Sequence, residues 1–461
     1  MATNRVRSLG FLLNLTACLL LWAIPLAGAD QKATPPPASA ESEAQRTAWF
    51  RQAKFGMFIH WGPYSLASVE ASWPIMKPEP RWNITEAEYV DLYKRFNPVQ
   101  YDPQAWVKLA ADAGMRYMVF TTKHHDGFCM FDTALTSYKI TRTPYGRDVT
   151  YMLARAASEA HMPLGFYYSP PDMHHPGYRD TSRPVKDTWH GDPTRPQWAT
   201  YLDYMEAQLR ELLTEYGPIA LIWFDGLDHP EKYEGARMVN LVHQIQPAAL
   251  VNNRIGVPGD FATPEQTIPE RIPTLSAAHH PPGAPEATDP SLPALDDFQL
   301  WETCMTINRT WAYNQNDTHY KSSKELIQDL VNVASKGGNF LLDVGPTPEG
   351  TIQPEFVERL LDMGKWLKAY GDSIYGTTYG PLQNLPYGKT TAKGRVVYVH
   401  VFDWPAQSLL EVPGFQERIA QINLLGDKRK LRWRQNGDKL EIEVPNTAPD
   451  PNDSVVQIVT R

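Results

Sequence analysis

The chain has 461 residues, 42% hydrophobic and 11% aromatic, enough for a large core, and a formal net charge of −8. With 52 acidic against 44 basic residues it is not built to bind nucleic acid or an anionic membrane surface, both of which would repel it. Three cysteines without CxxC spacing, and no HExxH pattern, give no strong argument for a metal or other cofactor, and a homo-oligomer stays open.

Arg5 and Arg7 precede an apolar run over residues 9–24, and Ala27-Gly28-Ala29 offers a small-residue cleavage site before Asp30. The run is short for a membrane span, so residues 1–29 read as a signal peptide, and the protein as secreted or periplasmic, or lysosomal in a eukaryote. Cleavage would remove Cys18 and two arginines, leaving Cys129, Cys304 and 42 basic against 52 acidic residues, a charge of −10. Residues 30–46, around Pro35-Pro36-Pro37, read as a disordered leader.

Over residues 47–376, apolar runs stop at polar groups. Phe55-Gly56-Met57-Phe58-Ile59 ends at His60, residues 115–122 end at Lys123-His124-His125, and Leu164-Gly165-Phe166-Tyr167-Tyr168 ends at Ser169. Ile219-Ala220-Leu221-Ile222-Trp223-Phe224 breaks into Asp225-Gly226, Leu250-Val251 leads to Arg254, and a last run carries Asp343. Each reads as a buried parallel strand, and together they bring His60, His124, His125, Tyr168, Asp225, Arg254 and Asp343 to what would be one rim. Catalytic groups of a β/α barrel sit at such C-terminal strand ends. Adjacent residues of an extended strand point to opposite faces, so His124 and His125 are not expected to share an ion.

Helical patterns fill the intervals. Asp148 can cap a helix with an apolar face of Val149, Met152, Leu153, Ala156 and Ala157; Tyr201, Met205, Leu209 and Leu212 make a second stripe; Ser322 and Glu325 form a capping box. This alternation predicts a (β/α)₈ TIM-like barrel. Over residues 377–461 the period changes to alternating strands, with a turn at Asn436-Gly437, and predicts a small C-terminal antiparallel β-sandwich.

Several motifs in order carry a resemblance: Lys54-Phe55-Gly56-Met57-Phe58-Ile59-His60-Trp61-Gly62, Phe96-Asn97-Pro98, Lys123-His124-His125-Asp126-Gly127-Phe128, Trp223-Phe224-Asp225-Gly226 and Gly337-Gly338-Asn339-Phe340-Leu341-Leu342-Asp343-Val344-Gly345-Pro346. Over residues 49–376 the chain resembles the α-L-fucosidases of glycoside hydrolase family 29, which also carry a C-terminal β-sandwich. The resemblance implies an exo-acting, retaining enzyme that releases terminal α-linked L-fucose from fucosylated oligosaccharides or glycoconjugates through a covalent glycosyl-enzyme, without a cofactor.

It implies Asp225 as nucleophile and His60, His124 and His125 as hydrogen-bonding partners of the ring hydroxyls, with Tyr168 and Trp223 in the pocket. Glu265 resembles the acid/base position of several relatives, with Glu302 and Glu270 as competitors. Fucose ends in a methyl group, so its site needs apolar wall, for which Trp61, Trp73 and Trp311 are candidates. Where many relatives have Glu-Trp, this chain has Val69-Glu70-Ala71-Ser72-Trp73-Pro74, so the sugar-binding Glu is either displaced to Glu70 or absent. Residues 268–298 read as a long rim loop on the leaving-group side. A catalytically silent fucose-binding barrel and a strict α-1,3/4-fucosidase are the alternatives; Thr263-Pro264-Glu265-Gln266 resembles the group with broader activity.

Overall fold

The computed structural model describes residues 40–183, 191–226, 230–275, 292–293, 297–427 and 429–461. The expected signal peptide, the leader up to residue 39 and most of the rim loop beyond residue 275 lie outside the described residues. A helix, Ala40–Ala53, replaces the expected leader over residues 40–46. Its C-terminal part is anchored on the core by Phe50, which packs against Tyr117 and Phe261.

Seven parallel strands build the first sheet: β1 (Phe55–Ile59), β2 (Met118–Lys123), β3 (Leu164–Tyr168), β4 (Leu221–Phe224), β5 (Leu250–Val251), β6 (Glu302–Thr306) and β7 (Asn339–Val344), in the order β5-β4-β3-β2-β1-β7-β6. All are buried along their whole length, as expected of strands covered on both faces. An irregular stretch then spans the gap between the edge strands. Phe261 bridges Asn252 beyond β5, while Ala262 and Glu265 bridge Trp301 and Cys304 of the β6 region, all in parallel sense. The eighth stave of the expected barrel is therefore this short run, which carries Glu265. Glu302 heads β6, whose pairing starts at Glu302↔Asn339.

The expected crossover helices are present. Asp148 caps Val149–Glu159 through Tyr151 N–H, and Ser322 and Glu325 form the capping box of Ser323–Ser335. The second stripe lies on Trp198–Glu215, with Tyr201, Met205, Leu209 and Leu212 buried. From Thr378 onward the chain forms a six-stranded and a three-stranded antiparallel sheet. Leu410, Val412, Leu440 and Ile442 of the smaller sheet share one apolar cluster with Val399, Ile422, Val456 and Ile458 of the larger, which is the expected sandwich core.

The sandwich is joined to the barrel through the helix Pro354–Tyr370, whose Trp366 Nε1 donates to the carbonyl of Asp453 at 3.0 Å. Behind this contact the His400 imidazole and the Asp453 carboxyl meet at 2.6 Å with no solvent exposure of either side chain. Removing one member of a buried pair strands the other in a low dielectric. His400→Ala is therefore expected to destabilise the protein by about 3–5 kcal/mol, seen as a lowered Tm in thermal melts, whereas an unchanged Tm would show that the pair adds nothing to the join.

Candidate active site

At the C-terminal ends of the strands lies a cavity of about 130 Å³, lined by Phe58, His60, Trp73, His124, His125, Tyr167, Trp223, Asp225, Arg254, Glu265, Cys304 and Trp311. It brings together nine of the residues expected from sequence: Asp225, Glu265, His60, His124, His125, Trp223, Arg254, Trp73 and Trp311. Tyr168 and Glu70 are not among its lining residues.

The centre of the site is Arg254. One terminal nitrogen, Nη1, donates to Asp225 Oδ1 at 2.7 Å and the other, Nη2, to Glu265 Oε2 at 2.5 Å. Its guanidinium lies over the face of Trp223, 5.0 Å from the ring centroid. Trp223 stacks on Tyr167 at 5.6 Å, and Tyr167 stacks on His124 at 5.3 Å, so a column of four planar groups forms one side of the cavity. The backbone explains why Arg254 and Asp225 meet. β5 is two residues long, and the Asn252 amide continues its pairing by exchanging hydrogen bonds with the backbone of Phe224 at 2.8 and 2.9 Å. Gly226 N–H then donates to Arg254 O at 2.8 Å, an approach so close that a Cβ on residue 226 would lie 2.3 Å from that oxygen.

Burial alone would raise the Asp225 carboxyl. The Arg254 charge, His125 and the Tyr167 hydroxyl at 2.9 Å outweigh that and hold it well below the usual carboxylate range. His125 Nε2 stands 3.4 Å from Asp225 Oδ2. His60 and His124 behave differently: burial pushes His60 down to about 3, against the pull of Asp225 and Glu265, and takes His124 well below its ordinary value. Both are neutral hydrogen-bonding groups at ordinary pH. His60 Nδ1 meets Asp343 Oδ1 at 2.7 Å, and burial raises the Asp343 carboxyl well above its ordinary value. His124 Nδ1 lies 2.6 Å from Ser72 Oγ, and that oxygen accepts Asp126 N–H.

Three expectations are corrected. Tyr168 points away from the cavity to Gln208 at 2.8 Å, and its ring covers Lys123 Nζ; its neighbour Tyr167 takes the inward position, in register with Trp223. A shift of one residue along a strand exchanges the two faces. His124 and His125 do not diverge, since their rings are 4.3 Å apart and both line the cavity. The strand ends at Lys123 and the chain turns at once, with Gly127 N–H donating to His124 O and Gly127 at φ +78°. Glu70 bonds the backbone of Trp311 instead of facing the cavity.

The competitors of Glu265 are also placed. Glu302 is fully buried, accepts hydrogen bonds from the Tyr117 hydroxyl and from Trp223 Nε1 at 2.9 Å, and is pushed up to about 7 by burial. Neither Glu302 nor Glu270 lines the cavity, where Asp225 and Glu265 are the carboxylates. Trp61 packs among Phe96, Tyr101 and Trp106 in the core. Cys129 and Cys304 are free, buried thiols.

The family model described as alpha-L-fucosidase matches residues 21–372, and the one described as alpha-L-fucosidase C-terminal domain matches residues 383–458. The chain belongs to the α-L-fucosidases of glycoside hydrolase family 29. It is 29% identical to the tissue alpha-L-fucosidase of Homo sapiens over 430 residues, 87% of this chain and 86% of that one. Among solved structures it is similar to alpha-L-fucosidase isoenzyme 1 from Paenibacillus thiaminolyticus, with 35% identity, a TM-score of 0.78 and coverage of 91% of this chain and 100% of that one. The alpha-fucosidase of Thermotoga maritima in complex with fucose is 29% identical, with a TM-score of 0.74 over 91% of this chain and 99% of that one.

For this fucosidase the two adjacent tyrosines make a sharp comparison. Tyr167→Phe removes the hydroxyl that donates to Asp225, and kcat/KM on an aryl α-L-fucoside is expected to fall about 10- to 100-fold, the equivalent of one hydrogen bond to a charged group. Tyr168→Phe should stay within about threefold, because its hydroxyl bonds outside the cavity. Equal losses in the two variants would contradict this placement.

Proposed function

We propose that the protein is an exo-acting, retaining α-L-fucosidase that releases terminal α-linked L-fucose from glycans through a covalent glycosyl-enzyme. The observation that carries this reading is the pair of carboxylates, Asp225 and Glu265, held on the two terminal nitrogens of one guanidinium. Two carboxylates bound to one guanidinium are close enough to each other for the separation of about 5 Å used by retaining enzymes.

Their surroundings divide the roles. Asp225, buried and stabilised as an anion, attacks the anomeric carbon while the bond to the leaving oxygen breaks. Glu265, whose side chain is 38% exposed at the mouth, gives that oxygen its proton. Water then enters, Glu265 takes its proton, and the bond between the sugar and Asp225 is cleaved. The Glu265–Arg254 contact must open for Glu265 to carry a proton, which the arriving glycoside can bring about by occupying the space between them.

Size and lining support fucose as the bound sugar. A cavity of about 130 Å³ is well under the roughly 300–1,000 Å³ of drug-sized sites, which favours one terminal ring over an internal chain segment. The histidines offer partners for hydroxyls, and Phe58, Trp73 and Trp311 offer apolar wall for the methyl group. Residues 1–29, read as a signal peptide, would place the enzyme outside the cytoplasm.

The two roles separate by the stereochemistry of rescue. Asp225→Gly should be nearly inactive, and azide attacking from the vacated side should convert an aryl α-L-fucoside to the β-fucosyl azide. Glu265→Ala should form the glycosyl-enzyme from the same substrate, stall, and give the α-fucosyl azide. Proton NMR of the products decides between them. An α-azide from Asp225→Gly, or normal turnover of natural fucosides by Glu265→Ala, would overturn the assignment.

A further inference from the structure

Two tryptophans that wall the cavity come from segments without strand support. Trp73 opens the four-residue helix Trp73–Met76 after β1, and Trp311 lies in the irregular chain between β6 and the helix Ser323–Ser335. One residue reaches both. The main-chain oxygen of Glu70 accepts Trp73 N–H at 2.9 Å, and its side-chain Oε1 accepts Trp311 N–H, also at 2.9 Å.

The Trp311 segment is pinned on another side by the end of β7. A Cβ on Gly345 would lie 2.8 Å from Trp311 O and 2.5 Å from Tyr313 N, so the two backbones are already in contact. The Trp311 ring is 5.1 Å from that of His60, so a displaced Trp311 would disturb the polar side of the cavity as well. Ser72, which directly precedes Trp73, is engaged with His124 and Asp126 N–H.

We infer that Glu70 is a positioning residue that sets the spacing of the Trp73 and Trp311 walls and does not itself touch the sugar. The inference rests on the fucose reading above, in which those walls receive the methyl end of the ring. Withdrawal from water pushes the Glu70 carboxyl up to about 8, against the Trp311 N–H and reinforced by Asp343, Asp317 and Glu265. Its neutral form still offers an oxygen to Trp311, and glutamine reproduces that form closely.

The test uses the full chain and three variants, Glu70→Gln, Glu70→Ala and Glu70→Asp, on an aryl α-L-fucoside and on the aryl α-L-galactoside that adds a hydroxyl at C6. Glu70→Gln keeps the acceptor at the right length and is expected within about threefold of wild type in KM and in preference for the fucoside. Glu70→Ala removes the acceptor and Glu70→Asp shortens it by one methylene. Both should raise KM for the fucoside about tenfold or more, with kcat within about threefold, and reduce the preference for fucoside over galactoside.

Glu70→Gln losing activity equally on both substrates while Glu70→Asp keeps it would make Glu70 a charged ligand of a hydroxyl common to both sugars, and the inference would be wrong. Wild-type preference in Glu70→Asp would overturn it too. Should Glu70→Ala fail to fold, the Gln and Asp pair alone decides. A wild-type protein that left the fucoside intact would refute the fucosidase reading and not the geometry of Glu70.

Discussion

A buried carboxylate must be ionised to act as a nucleophile, and a protein interior penalises the charge. In this chain the penalty at Asp225 is offset chiefly by the Arg254 guanidinium at 2.7 Å, with the Tyr167 hydroxyl as a further donor. Much of the local architecture serves that contact. Asn252 extends a two-residue strand so that Arg254 leaves it at the right height, Gly226 lets the two strand ends touch, and Trp223 supports the guanidinium from below. The same guanidinium holds Glu265, so one side chain orients both carboxylates.

The other polar residues follow a different rule. His60 and His124 are buried, and burial drives both toward the neutral form. With Nδ1 engaged, each neutral imidazole keeps Nε2 for a hydroxyl, as donor or acceptor according to its tautomer, and a hydroxyl can meet either. Asp343 and Ser72 engage the Nδ1 atoms from behind, so the rings are fixed in orientation before any ligand arrives. Charge is thus concentrated around Arg254, while His60 and His124 supply neutral polarity.

Strand positions were legible in the sequence because each buried strand is a solid apolar run that stops at a polar rim. Asp225, His60, Arg254 and the histidine pair could be read for that reason. Which face a residue takes was not legible. Both faces of a barrel strand are buried, so Phe166, Tyr167 and Tyr168 show no alternation of polarity that would tell Tyr167 from Tyr168. Parity counted back from Asp225 through Trp223, followed by the register that pairs Trp223 with Tyr167, is the signal that identifies the right residue, but that register exists only once the strands are aligned. The eighth stave has no strand signature in the sequence because its run, Phe261-Ala262-Thr263-Pro264-Glu265, contains a proline and pairs through isolated bridges, without the continuous ladder that leaves a periodic trace.

Glu70 shows a further limit of motif reading. A Glu close to a Trp after the first strand suggests a sugar ligand, and spacing alone leaves open whether the carboxylate faces the ligand or the scaffold. Ala71, buried and at φ +37°, lies between Glu70 and Ser72, and its carbonyl accepts the Tyr89 hydroxyl at 3.0 Å. That backbone turn sends Ser72 to His124 and leaves the Glu70 side chain on the Trp311 loop. A positive φ at a residue with a side chain is costly and persists only where surrounding contacts enforce it. Its presence beside Trp73 means that the local backbone is held by its contacts, with Tyr89, His124 and Trp311 supplying three of them, and the shape of the wall follows from those contacts.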